Sequence, residues 1–352
     1  MLPSRPASRE GFIVSFARKY FRKHRRGGGH VVLAPMLLFF AIAGAPRSFS
    51  PERASASRPN GQTTIAVTAN LVLLPVRVTD ARGTFVSGLT LQNFRVYEDG
   101  QLQTLSVFEE EDTPVTVGLI VDHSRSMGSK LSDVVVGVLA FAHSSNPHDE
   151  MFVVDFNDDV SVELMNGKAF SSDPAELDEA LTAVSARGRT ALYDAVSEGL
   201  QHLQYGHLEK KALVIISDGG DNASHLKYAQ VLAQARQSQA AIYAIVLVDP
   251  NDGEEENPEL LKRICKDTGG IAYFPGAGET VATVSGEIAR DLRQQYTLGY
   301  APQNMGRAGT FRKVEVRVIA PGHHGKLVVR TRQGYSPAVE KRSTAQSGTG
   351  AR

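Results

Sequence analysis

The chain predicts an α/β protein in which a doubly wound, mostly parallel sheet is inserted in a small β-sandwich. Three observations carry this reading. Between residues 113 and 295, short aliphatic runs alternate with helical patterns, the order expected of parallel strands joined by crossover helices. Two of those runs, Val115 to Val121 and Ala212 to Ser217, are apolar at nearly every position, which suits strands buried on both faces. Outside this stretch the helical periodicity stops, and alternating strands bounded by Gly and Pro take over.

The elements follow in order. Leu71 to Thr79 reads as a strand and Asp80-Ala-Arg-Gly83 as a turn. Phe94 to Glu98 is expected to pair with Gln101 to Phe108 through Asp99-Gly100, the strongest short hairpin signal a sequence offers. After the Val115 strand comes a helix from Lys130 to Ser144. Strands Met151 to Phe156 and Val160 to Leu164 follow, joined by Asn157-Asp158-Asp159, which reads as a turn. Helices at Pro174 to Val184 and Ala191 to Leu203 lead to the Ala212 strand. Helix Tyr228 to Gln239, strand Ala241 to Val248, helix Glu259 to Thr268, strand Ile271 to Phe274 and helix Thr280 to Gln295 continue the alternation. Beyond them lie strands Tyr296 to Tyr300, Phe311 to Ile319 and Leu327 to Thr331. Neither flank has enough strands to bury a sheet alone, so residues 64 to 112 and 296 to 336 are expected to meet in one sandwich around the 113 to 295 domain.

The termini read differently. Six basic residues between Arg18 and Arg26 precede the apolar run Val31 to Ala43, which is short for a membrane span. Residues 1 to 45 are therefore expected to be a signal peptide or an uncleaved N-terminal anchor, with small residues allowing cleavage after Ala43 or Ala45. The Arg25-Arg26 pair hints at a twin-arginine signal, although the glycines after it do not fit one. The expected location is the periplasm, the envelope or the medium. Residues 46 to 63 and 337 to 352, rich in Ser, Arg, Ala, Pro and Gly, read as linker and tail. The whole chain balances 38 basic against 38 acidic residues. Residues 1 to 45 hold eight Arg/Lys and one Glu, so the remainder holds 30 and 37, a net charge of −7. That balance argues against a nucleic-acid-binding face. Cys265 is the only cysteine, which excludes an intramolecular disulfide, and it reads as a small helix filler.

The candidate site lies at the polar ends of these elements. The Val115 strand runs into Asp122-His-Ser124-Arg-Ser126, where alternation keeps one carboxylate and two hydroxyls on a similar side. Gly188-Arg-Thr190 opens a helix, and the Ala212 strand ends in Asp218-Gly-Gly. All of these donors are hard oxygens, the kind that Mg²⁺, Mn²⁺ or Ca²⁺ require. Each also has a plain reading. Ser126, Ser129 or Ser132 could cap the helix that begins near Lys130, Thr190 could cap the next one, and Asp218 could form an Asx-turn.

The DxSxS loop, threonine loop and aspartate loop, in this order, resemble the von Willebrand factor A family and its metal-ion-dependent adhesion site. The resemblance implies that Ser124, Ser126 and Thr190 touch a divalent cation, most readily Mg²⁺, with Asp122 and Asp218 reaching it directly or through water. A vacant coordination position would then take an Asp or Glu of a protein partner. The flanks, with Phe94-Arg-Val-Tyr-Glu-Asp-Gly-Gln-Leu-Gln103, Tyr296-Thr-Leu-Gly-Tyr300 and Arg332-Gln-Gly-Tyr335, resemble exported bacterial proteins of the same family, often seen in acidobacteria.

Other features carry less. Asp249-Pro-Asn-Asp-Gly253 with three following glutamates misses the spacing of a calcium loop and reads as a solvated acidic loop. His123 is expected to turn away from the ion, toward a role in specificity or simple exposure. His323-His324 reads as a hairpin tip. GxSxG, P-loop and HExxH motifs are absent from the sequence. An exported binding module that captures an acidic residue through its ion is the leading function. A metal-dependent hydrolase with His123 as its nearest base, or a structural envelope domain, are the alternatives.

Overall fold

The computed structural model describes residues 71–110, 112–164, 167–248, 258–276, 278–303, 309–321 and 325–337. The segment expected to direct export, the expected linker, the acidic loop from Asp249, the His323-His324 tip and the tail beyond Pro337 lie outside these residues. In chain order the elements are β1 (Val72–Thr79), β2 (Phe94–Glu98), β3 (Gln101–Gln103), β4 (Leu105–Glu109), β5 (Val115–Asp122), α1 (Leu131–Ser144), β6 (Glu150–Phe156), β7 (Val160–Glu163), α2 (Pro174–Thr182), α3 (Leu192–His202), β8 (Lys210–Ser217), α4 (Tyr228–Gln237), β9 (Ala241–Val246), α5 (Pro258–Thr268), β10 (Ala272–Tyr273), α6 (Val281–Arg293), β11 (Tyr296–Tyr300), β12 (Arg312–Val318), β13 (Val328–Arg330) and β14 (Gly334–Tyr335).

The central sheet has the order β10-β9-β8-β5-β6-β7, parallel except for the antiparallel edge strand β7. Every residue of β5 is buried because helices cover both faces. Val117, Leu119 and Val121 enter one core with α1, α2 and α6. Ile120 enters the other, with α3, α4 and α5. The strand period of two thus splits one aliphatic run between two layers. The close approach of α1 to α6 depends on Gly137, where an added Cβ would come within 2.4 Å of Val281 Cγ1.

The strand order places the site. From β5 the chain passes to β6 on one side and later returns to β8 on the other, so winding reverses between β5 and β8. At such a switch point the crossover connections leave in opposite directions and open a crevice beyond the carboxyl ends of the strands. Asp122 and Ser217 are the last residues of β5 and β8, and both are buried at that crevice.

The flanking strands form two antiparallel sheets, β13-β1-β11-β4 and β14-β12-β2-β3, each built from both ends of the chain. Their facing side chains, Leu74, Val76, Phe94, Val96, Leu298 and Val314 among them, share one core. The Asp99-Gly100 turn has φ of 48° and 82°, both positive, as a tight hairpin of this twist requires. One expectation is corrected here. Gln101 to Phe108 is not a single strand: β3 pairs with β2 only as far as Gln103, and after Thr104 the chain crosses to pair β4 with β11 in the opposite sheet. A sandwich needs such a crossing to close its core, and an uninterrupted strand could not make it. Strand β14, two residues long, was not anticipated.

Sandwich and central domain join at the amino end of β5, opposite the crevice. Asp291 of α6 accepts from Arg77 Nε of β1 at 2.8 Å, from Arg330 of β13 and from Tyr243 Oη of β9 at 2.6 Å. Arg332 donates to the carbonyls of Arg236 (3.2 Å) and Ser238 (3.0 Å) at the end of α4, and Arg236 pairs with Asp267 of α5 at 2.7 Å. These contacts fasten the sandwich to three helices.

Candidate metal centre

At the carboxyl end of β5 the chain turns abruptly, and the Asp122 carboxylate stays inside, fully buried. One oxygen accepts Ser124 N at 2.8 Å and the other accepts Ser217 Oγ at 2.6 Å. Ser124 Oγ lies 3.1 Å from Ser126 Oγ. Ser126 Oγ in turn donates to Asp218 Oδ2 at 2.6 Å, while Asp218 Oδ1 accepts Gly220 N at 3.2 Å. The structure therefore brings Asp122, Ser124, Ser126 and Asp218 into one hydrogen-bonded chain across the β5/β8 crevice. Ser126 is exposed and the other three are buried, so the chain meets solvent at Ser126.

Thr190 reaches the same crevice by backbone. Its N–H donates to Asn222 Oδ1 at 2.9 Å, and its carbonyl accepts Asn222 N (2.9 Å) and Ala223 N (3.0 Å) from the loop after Asp218. Two further bonds tie this loop to the DxSxS segment, Arg187 N to His123 O at 2.9 Å and Arg125 N to Gly188 O at 3.3 Å. Gly188 makes the approach possible: φ is +73°, and an added Cβ would meet Asp158 Oδ2 at 1.9 Å. The Asn157-Asp158-Asp159 segment does more than turn the chain, since Asn157 O accepts Ala191 N at 2.8 Å and holds the start of α3.

Two carboxylates share this crevice without a salt-bridging cation among the described residues. Neither Asp122 nor Asp218 forms an ion pair with Lys or Arg among the described residues. Burial pushes the Asp122 carboxyl up to about 6. The Ser124 and Ser217 hydrogen bonds pull it back, and the neighbouring Asp218 charge raises it further. The donor set fits a hard divalent cation on two grounds. First, every donor is oxygen and two of them are carboxylates without an ion-pair partner. Second, neighbouring ligands around an octahedral ion with bonds of about 2.1 Å stand about 3.0 Å apart, and the two serine hydroxyls lie at 3.1 Å. No group of three or more His, Cys, Asp or Glu side chains suited to a metal occurs among the described residues, so an ion here would depend on the hydroxyls.

His123 departs from the expectation of exposure. It is 1% exposed and its Nδ1 pairs with Asp155 of β6, while its N–H continues the ladder to Phe156 O at 2.8 Å. Burial disfavours the charged imidazole, but Asp155 outweighs it and leaves the pKa raised. The side chain is enclosed in the domain beside Asp155. Cys265 is fully buried with its thiol pushed well up by desolvation, which leaves it no thiolate chemistry. Sequence reasoning missed Ser217 and Asn222. Ser217 had a visible signal, being a hydroxyl at the end of an otherwise aliphatic strand. Asn222 had none, because only the fold brings it to Thr190.

Residues 117–220 match the family model of the von Willebrand factor type A domain. No curated protein matches the chain. Among solved structures, a von Willebrand factor type A protein from Catenulispora acidiphila is 12% identical, with 77% of this chain and 76% of that one covered and a TM-score of 0.45. An aerotolerance-related membrane protein from Bacteroides fragilis NCTC 9343, carrying multiple mutations to serine, is 16% identical over 51% of this chain and 98% of that one, with a TM-score of 0.42. The vWF domain of the type V pili tip protein Mfa5 from Porphyromonas gingivalis is 19% identical over 31% and 38%, with a TM-score of 0.28.

Proposed function

We propose that this chain carries a von Willebrand factor type A domain, of a family that typically binds other proteins, and that it captures an acidic residue of a protein partner through a divalent cation, Mg²⁺ in the first instance. The observation that carries the reading is the hydrogen-bonded chain from Asp122 to Asp218, largely buried at a switch point and without an ion-pair partner for either carboxylate among the described residues. Ser124, Ser126 and Thr190 would supply neutral oxygens to the ion, and Asp122 and Asp218 would balance its charge. When bound, the ion supplies a Lewis-acidic position open to a partner's carboxylate. Ser217 and the Ser124 N–H hold the Asp122 carboxylate in place, and Asn222 holds the Thr190 loop. Export through the basic and apolar segment of residues 1 to 45 would put this activity in the envelope or outside it.

Two measurements test the reading. Titration with Mg²⁺ should raise the melting temperature of the chain, by an amount set by free ion over its dissociation constant, and Asp122→Ala should abolish the rise. Pull-down from an envelope extract should recover a partner that chelator releases. A partner retained equally with and without chelator excludes ion-bridged capture.

A further inference from the structure

The oxygens of the crevice are framed by arginines. Arg125 stands between Ser124 and Ser126, and Arg187 and Arg189 stand on either side of Gly188; all three are exposed. The backbone bonds from Arg187 N to His123 O and from Arg125 N to Gly188 O hold the two loops side by side, so these positions are fixed close to the candidate donors. Arg189 pairs with Asp158 at 2.9 Å. Arg125 adds to the positive field that lowers the Asp158 carboxyl, yet neither Arg125 nor Arg187 has an ion-pair partner among the described residues. Three arginines against Asp158 and Asp159 on the adjoining turn leave the rim one positive charge in excess once an ion offsets Asp122 and Asp218. This excess stands on a chain that is net negative beyond residue 45.

We propose that Arg125 and Arg187 recognise acidic residues next to the one that reaches the ion, so that the partner presents a run of carboxylates rather than a lone Asp or Glu. This rests on the ion-bridged reading above. An exposed guanidinium–carboxylate pair adds little affinity, about twofold to fivefold each, but it discriminates between partners and fixes the register of a bound segment. A phosphate backbone would also attract arginines. It needs a longer basic track than three residues, and here the track lies over two carboxylates.

The test uses the full chain and fluorescence anisotropy with three labelled probes: a Gly/Ser peptide with one central Asp, the same peptide with two Glu after that Asp, and a short single-stranded DNA. Each is measured in Mg²⁺ and in EDTA, with the unaltered chain and with R125Q/R187Q. The tri-acidic peptide is expected to bind about tenfold more tightly than the mono-acidic one in Mg²⁺, and R125Q/R187Q is expected to erase that ratio while both peptides stay chelator-sensitive. Because both arginines are exposed, unchanged melting of the variant confirms that it folds. Equal binding of the two peptides, still chelator-sensitive, overturns the arginine rim and leaves the ion reading intact. Peptide binding that persists in EDTA, or is absent in Mg²⁺, overturns the ion reading and the rim with it. Tighter binding of the DNA than of the tri-acidic peptide overturns the acidic-protein assignment.

Discussion

Asp291 and Asp267 at one end of the central domain are held in a way opposite to Asp122 and Asp218 at the other. At the joint with the sandwich, Asp291 lies between Arg77 and Arg330, and Asp267 lies between Arg236 and Arg263. Within the sandwich, Glu98 accepts from Arg312 and from the hydroxyls of Tyr300 and Tyr335. Each of these acids has its counter-charge from the chain itself. At the crevice, about 23 Å away along β5 by strand rise, Asp122 and Asp218 have only hydroxyl and amide donors. A closed charge cluster serves cohesion, whereas an open one leaves room for something brought from outside.

The largest expected effect breaks the closed cluster. Asp291→Ala strands two largely buried guanidiniums, a change that costs about 3 to 5 kcal/mol where one partner of a buried pair is removed, so the urea midpoint should fall steeply. Asp122→Asn, made at an equally buried position, should leave the midpoint unchanged or raise it when chelator is present, because it removes a charge that has no cationic partner. With Mg²⁺ in excess the order changes, since only the unaltered chain gains stability from the ion. A large loss for Asp122→Asn in chelator would erase the contrast between the two ends.

A smaller effect sharpens the picture of the joint. Lys210 donates to Leu292 O at the end of α6. Burial depresses its amine from 10.5 to about 8, against the pull of Asp112, Asp149 and Asp291. Between those values the unfolded chain holds a proton that the folded chain has released. Stability therefore gains a contribution as pH rises from about 8 toward 10.5. Comparing urea midpoints at the two ends of that window, the unaltered chain should move upward relative to Lys210→Met. Parallel shifts in both would show that Lys210 is not the titrating group.

The closed clusters and the open one also differ in how far the sequence discloses them. The strands of the central sheet and the DxSxS, threonine and aspartate loops are local patterns, and strand ends are where a parallel sheet exposes polar groups, so Asp122, Ser124, Ser126, Thr190 and Asp218 could be named as candidates from the sequence. Arg77, Asp291 and Arg330 are separated by long stretches of chain and have no periodic signature, so their meeting depends on how the sandwich closes. The break at Thr104 was hidden for a related reason. Residues on both sides of it favour strand, and only the need to cover the second sheet decides that β4 leaves β3. His123 was misjudged because alternation says which way a side chain turns but not what waits there, which in this fold is Asp155 of β6.

Gly188→Ala probes the crevice without touching any proposed ligand. A side chain at φ of +73° is strained, and Asp158 would have to swing out of the way, which together cost about 1 to 2 kcal/mol. More telling than the midpoint is the ion response. Because Gly188 O anchors Arg125 N and the loop carries Thr190, the Mg²⁺-dependent rise in melting temperature should shrink by more than the loss of stability alone explains. An undiminished rise would mean that Thr190 takes no part in holding the ion.

Arg189→Ala should do least. Its partner Asp158 is exposed, and water and salt screen the pair, so the melting temperature in chelator should not move. The same replacement leaves Asp158 without its pairing arginine beside Arg125. If Arg125 belongs to the rim that meets the partner, it would now face a competing carboxylate of its own chain. Arg189→Ala should therefore weaken the preference for the tri-acidic peptide without altering stability, and the weakening should fade as salt is added. A loss of stability instead, with the peptide ratio intact, would make the Arg189–Asp158 pair a structural strut like those at the joint, and the two ends of the domain would differ less than their charges suggest.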